Sequence, residues 1–256
     1  MGGGQHATVA RDVTAPASGH WLDDVVFAPV RSQTAFEETV ERLGNAIRLG
    51  LLAPGTRLPA ERELCERLGI ARSTLRQALV TLGRSGHVHA LRGRGGGTFV
   101  ADPQPRVLPP TTEQLNSWRT LRDERRAVEV GIAELAAERA YDSAVDELER
   151  CVLGMDAALH DFALYRHLDV RLHVGVAALT GSARLVALMT RVEAAMSGLL
   201  AYVAHPPEML DLSNEQHRRL VEQLRHRDCA GAGHEMAEHT RYTEQALTEL
   251  LPGLCD

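Results

Sequence analysis

The sequence predicts a mainly α chain: an N-terminal winged helix-turn-helix followed by an all-α helical bundle of six or seven helices. Three observations carry that reading. Residues 57–100 read as two short helices, each closed by a glycine, and then a hairpin with a glycine-rich tip. From residue 111 onward, apolar residues recur at three- and four-residue steps, and strand signals are absent. Charge is divided as well. Eleven arginines and six glutamates between residues 31 and 100 give +5, and the remainder stands at −11 in a chain of net charge −6. A basic block on an acidic protein fits one module that meets nucleic acid and another that does not.

Residues 1–30 open on Gly-Gly-Gly and run through Ala, Ser, Pro and Thr without sustained periodicity, which predicts a disordered tail. A winged helix-turn-helix domain is expected over residues 31–101. Phe36, Val40, Leu43 and Ile47 make the stripe of its first helix, and Pro54-Gly55 turns the chain. In the second helix Leu64, Cys65 and Leu68 share a face, and Gly69 stops it. The third turns Leu75, Leu79 and Leu82 inward and leaves Arg72, Ser73 and Arg76 outward on its first turns, before Gly86. Neither Ala60 nor Ala71, at the starts of these two helices, can cap them with a side chain.

A third helix placed this way enters a major groove by its N-terminal turns. Arg62, Arg72 and Arg76 are then expected on bases and phosphates, and Ser73 and Thr74 on phosphate. The hairpin tip, Arg92, Gly93, Arg94 and Gly95, is expected at the minor groove, where glycine allows close approach and arginine suits a narrow, negative cleft. The same glycine run reads only weakly as a nucleotide-binding turn, because no crossover helix follows it.

Residues 102–110 hold four prolines and predict a stiff linker. Over residues 111–256 helices are expected near 113–140, 143–159, 161–180, 183–204, 213–227 and 230–251. Leu121, Val128, Ile132 and Leu135 face inward on the first of these. Leu185, Leu188, Val192, Met196, Leu199 and Val203 do so on the fourth. His205-Pro206-Pro207 reads as a loop. Cys65, Cys151, Cys229 and Cys255 lack metal-type pairing and suggest reduced thiols. No apolar run approaches the roughly 20 residues that span a bilayer, so a cytoplasmic protein without membrane contact is expected.

Polar residues interrupt this bundle in three places. Asp169 and His173 stand four apart, so both project from one helix face. His217 lies in NEQHRRLVEQL and His239 in MAEHTRYTEQAL. If the fold brings them together, one carboxylate and three imidazoles suit a divalent transition metal with room left in its shell. With 12 histidines in the chain, spacing alone equally allows surface residues.

The stretch LGNAIRLGLLAPGTRLPAERELCERLGIARSTLRQALVTLGRSGHVHALRGRGGGTFV resembles the DNA-binding domain of GntR-type bacterial regulators. The stretches ERRAVEVGIAELAAERA, DVRLHVGVAALTGSARL, NEQHRRLVEQL and MAEHTRYTEQAL resemble the FCD ligand-binding domain of the FadR subgroup. The resemblance implies a homodimer on an inverted-repeat operator of double-stranded DNA, controlled by a small effector. It implies that Asp169, His173, His217 and His239 hold a divalent metal, zinc first, with nickel, cobalt or manganese as alternatives. It also implies a carboxylic acid beside that metal, with Arg125 as its partner and Ser182 near the pocket, where many relatives carry Asn. An exposed ion pair with Glu129 is the competing role for Arg125. A regulator that answers to the metal alone is a second reading. A metal-dependent hydrolase is a distant third, since the matched motifs offer no further Glu or His as an obvious base.

Overall fold

The computed structural model describes residues 34–93, 95–102, 117–201 and 205–250. Nine helices and two strands lie among them: α1 (Ala35–Arg48), α2 (Glu61–Leu68), α3 (Arg72–Arg84), β1 (Val88–Leu91), β2 (Gly97–Val100), α4 (Trp118–Arg139), α5 (Asp142–Asp156), α6 (Phe162–Leu179), α7 (Ala183–Leu200), α8 (Pro207–His226) and α9 (Cys229–Leu250). The expected tail and most of the linker fall outside the described residues.

The first three helices and the hairpin close on one core. Leu43 and Ile47 of α1 meet Leu64 of α2, Leu75, Leu79 and Leu82 of α3, and Val88 and Val100 of the strands. Gly69 ends α2 in the left-handed conformation, its N–H bonded to the Cys65 carbonyl. Neither Ala60 nor Ala71 caps its helix through a side chain. The two strands pair antiparallel, Val88 opposite Val100 and Leu91 opposite Gly97. A detail invisible to periodicity is that residues 56–58 add to the free edge of β2. Leu58 N–H bonds to the Thr98 carbonyl at 2.9 Å, and Val100 N–H to that of Thr56 at 2.9 Å. The wing is thus a hairpin buttressed from outside, and Arg57 Nη2 donates to the Gly96 carbonyl at 2.7 Å. Gly93 and Gly95 at its tip hold φ of 96° and 88°, where a Cβ would be strained.

The remaining six helices form the expected bundle. Helix α4 lies against α6, α7, α8 and α9. Its inner face carries Ala133, Ala136 and Ala137, all fully buried, which let neighbouring backbones come close. Leu148, Met155, Leu172, Val176, Leu220, Leu224 and Met236 fill the space around them. Trp118, Val192, Met196, Leu199 and Leu247 make a smaller core at the other end of α4. Helix α8 begins six residues earlier than expected: Pro207 opens it instead of lying in a loop, because a proline in the first turn has no N–H to lose.

The two halves touch within the described residues. Helix α1 packs on α7. A Cβ built at Gly50, whose φ is 69°, would stand 2.7 Å from Nδ1 of His167 on α6. Among the described residues, no helix is long and apolar enough to cross a membrane.

Candidate metal and ligand site, and nucleic-acid interface

Three helices build a polar centre inside the bundle. Asp169 and His173 come from α6, one turn apart, His217 from α8 and His239 from α9; all four are buried. Each offers a ligand atom within 4.8 Å of the others. His217 Nε2 is 3.3 Å from Asp169 Oδ1, and His173 Nε2 is 3.8 Å from the same oxygen. The ring centres of His217 and His239 are 4.4 Å apart.

Two buried carboxylates, Glu129 and Glu193, and two arginines surround this cluster. Arg125 Nε donates to Glu129 Oε1 at 2.8 Å, with both side chains inside the protein, so this pair is not the exposed ion pair considered as its competing role. Glu129 Oε2 lies 2.9 Å from His173 Nδ1, close enough for an ion pair although not aligned as a hydrogen bond. Arg166 engages all three of its nitrogens: Nε bonds to Ser197 Oγ at 3.0 Å, Nη2 to Glu193 Oε2 at 2.6 Å, and Nη1 to Asp169. Glu129 and Glu193 stand beside the four residues, where the matched motifs offer no obvious further base. Both are already ion-paired, which leaves neither as a free base.

Protonation follows from these neighbours. Burial opposes a charge on His173, but the Glu129 and Glu193 carboxylates outweigh it and raise its pKa to about 9. Burial would lift Glu129, yet Arg125 and His173 hold it down at about 2. Burial, with His173 and Arg125 adding to it against the pull of Asp169, drops His217 to about 4. His239 is pushed well down by burial and by the two other imidazoles. At neutral pH the centre therefore contains two uncharged imidazoles and ionised Asp169.

These donors fit a cation. Neither ring nitrogen of His217 has a hydrogen-bond partner among the described residues, nor has His239 Nδ1. Buried polar atoms left this way are costly, and a coordinated ion would satisfy them. The N/O donor set matches borderline divalent metals.

A cavity opens beside the cluster. It encloses about 630 Å³ free of protein atoms, part of it open to solvent, and about 60 Å³ can be reached by the centre of a water molecule. Asp169, His239, Arg125, Arg166 and Glu193 form its polar end. Arg125 Nη1 has no partner among the described residues, although the residue is only 3% exposed. Ser182 is not part of this wall: it is the N-cap of α7, its Oγ accepting the Leu185 N–H at 3.4 Å. His205, expected in a surface loop, does line the cavity and stacks on Phe162 with ring centres 3.5 Å apart.

At the other end of the chain the expected DNA-facing groups lie outside the core. Arg62, Arg72, Ser73, Arg76, Arg92, Gly93 and Gly95 are exposed and Thr74 is half-buried, while Arg94 falls outside the described residues. Arg76 Nε pairs with Glu61 at 3.1 Å and Arg62 with Glu66 at 3.4 Å. Such exposed pairs are worth about 1 kcal/mol or less and yield readily to phosphate.

Residues 36–100 match the family described as bacterial regulatory proteins, gntR family, and residues 121–242 match the FCD domain. The chain belongs to the GntR family. Its second domain is of the FCD type, and the family consists of transcription regulators, not enzymes. Among relatives of this GntR/FCD protein, the HTH-type regulator RmpR of Mycobacterium gastri is 37% identical over 57% of this chain and 55% of its own. YcbG of Bacillus subtilis, also named an HTH-type transcriptional regulator, is 26% identical over 88% of this chain and 95% of its own. The solved structure of Escherichia coli McbR/YncC is 20% identical with a TM-score of 0.52, over 85% of this chain and 99% of that one, which supports the fold.

Proposed function

We propose that this GntR/FCD regulator binds an inverted-repeat operator as a homodimer and that a small carboxylate, held beside a divalent metal in the helical domain, modulates that binding. One observation carries the reading: a cluster of four buried metal-type ligands reaches, through Asp169 and His239, a cavity whose polar end presents the unpaired Arg125 Nη1. Arginine meets a carboxylate with two parallel hydrogen bonds. Asp169, His173, His217 and His239 would hold the metal, zinc first, and it would supply a second positive contact for the acid.

The route to the reader runs through α6 and α7. Arg166 lines the cavity and ties Asp169 of α6 to Glu193 and Ser197 of α7. Helix α7 supports α1, and the neighbouring His167 lies against Gly50. An acid that favours one arrangement of α6 on α7 shifts the platform under the winged module. Such coupling is typically worth about 1–3 kcal/mol. In this reading Arg62, Arg72 and Arg76 contact bases and phosphates, Ser73 and Thr74 phosphate, and residues 92–95 the minor groove.

Operator fragments selected from random duplexes, titrated with the zinc-loaded full chain with and without acids, test the proposal. The expected result is a change in operator affinity of about 5- to 150-fold on adding an acid. Affinity unmoved by every acid, yet changed by the metal, would leave a metal-only regulator in its place.

His173 gives a second test. With its pKa near 9, it surrenders about one proton when a divalent ion is bound near neutral pH, since Nε2 must be free to ligate. Apparent metal affinity is then expected to rise with pH, about tenfold per unit up to about pH 9. Calorimetry in buffers of different ionisation enthalpy counts the proton. A flat affinity between pH 6 and 8 contradicts this assignment.

A further inference from the structure

Beyond its polar end, the cavity has no hydrogen-bond donor to spare; its hydroxyls and ring N–H are spent on protein groups, and only acceptor lone pairs remain. Tyr165 donates its hydroxyl to the Leu210 carbonyl at 2.9 Å, and Tyr242 donates to that of Met209 at 3.4 Å. Thr243 donates to the His239 carbonyl at 3.1 Å. His205 Nε2 lies 2.7 Å from the Leu200 carbonyl and therefore donates to it. Ser213 is engaged with the Tyr165 hydroxyl. The rest of the wall is carbon: Phe162, Met196, Leu200, Met209, Ala246 and Leu247. A ligand oxygen placed there would lose its water and find no donor to replace it, so each added hydroxyl is left half satisfied and a carboxylate wholly unsatisfied.

The polar end is equally restrictive. Arg166 spends its Nε, Nη1 and Nη2 on Ser197, Asp169 and Glu193, so Arg125 Nη1 is the buried guanidinium donor left without a partner among the described residues. One carboxylate suits it. A second carboxylate would face either carbon or the Glu193 carboxylate.

We infer that the effector is a small monocarboxylic acid with an apolar body, and not a polyhydroxy acid or a dicarboxylate. This rests on the carboxylate reading above and narrows it. The polar head meets Arg125 and the metal cluster; the carbon body lies against Leu200, Met196 and Leu247. The enclosed part of the cavity suits a body of a few carbon atoms.

The test is calorimetry on the full chain with one equivalent of zinc, using acetate, butyrate, D-gluconate and succinate. Each buried methylene is worth about a fourfold gain, so butyrate, with two more, is expected to bind about 15-fold tighter than acetate. D-Gluconate and succinate are expected to bind no tighter than acetate. Leu200→Gln should erase the advantage of butyrate while acetate binding persists, and Ala246→Leu, which fills the same space, should do likewise. Retained acetate binding shows that each variant is folded. D-Gluconate or succinate tighter than butyrate, or no gain from the added methylenes, overturns the apolar assignment and leaves the carboxylate reading standing. Binding of none of the four acids overturns both.

Discussion

Arg72→Ala is expected to weaken operator binding at least about 30-fold. A bidentate arginine contact to a base is worth about 1–3 kcal/mol. A homodimer on an inverted repeat loses it twice, so the deficit is about 2–6 kcal/mol, or about 30- to 10⁴-fold in Kd. Stability should hardly change, because Arg72 is exposed at the first position of α3 and no buried group depends on it. Affinity for an unrelated duplex should fall much less, since a lost base contact carries sequence information and a lost phosphate contact does not. Fluorescence anisotropy on operator and scrambled duplexes reads both numbers. Equal, modest losses on the two would reassign Arg72 to the phosphate backbone; unchanged operator affinity would remove it from the interface.

Glu129→Ala is expected to cost about 3–5 kcal/mol of stability, with zinc absent. The Glu129 carboxylate is fully buried between Arg125 and His173. Truncating it leaves an uncompensated guanidinium in the interior, the case in which breaking a buried pair is most damaging. At roughly 3 °C per kcal/mol for a domain of this size, Tm should fall by about 10 °C. Glu129→Gln keeps the volume and one acceptor and should be milder, although it forfeits the charge. Removing Glu129 should also lower the pKa of His173, because that carboxylate is the main group sustaining its charge. The His173 resonances in an NMR titration follow this directly. A Glu129→Ala protein as stable as the parent, with His173 still titrating near 9, would dissolve the proposed network.

The position of Glu129 shows where sequence reading reached its limit. Arg125 and Glu129, four apart on α4, look from the sequence like one more exposed helical pair. Only packing by α6, α8 and α9 turns the pair into a buried one, and no local pattern carries that information. Asp169 and His173 were legible because a four-residue step on one helix fixes their common direction. His217 and His239 needed the fold to bring α8 and α9 alongside. Glu193 and Arg166 read as ordinary helical charges until α6 and α7 are docked. His205 looked like loop because two prolines follow it, yet the second of them opens α8 and the imidazole is drawn over Phe162.

By itself the sequence determined the order and type of the elements and the division into a basic winged reader and an acidic bundle. Those properties depend on local periodicity, on glycine and proline at the ends of elements, and on where charge is spent along the chain. Tertiary structure alone decided the interior: that four metal-type ligands converge, that Arg166 is consumed while Arg125 keeps a donor, and that the cavity beyond them is walled in carbon. Convergence and saturation are relations between side chains far apart in sequence, and burial converts them from weak surface pairings into strong constraints on what can bind.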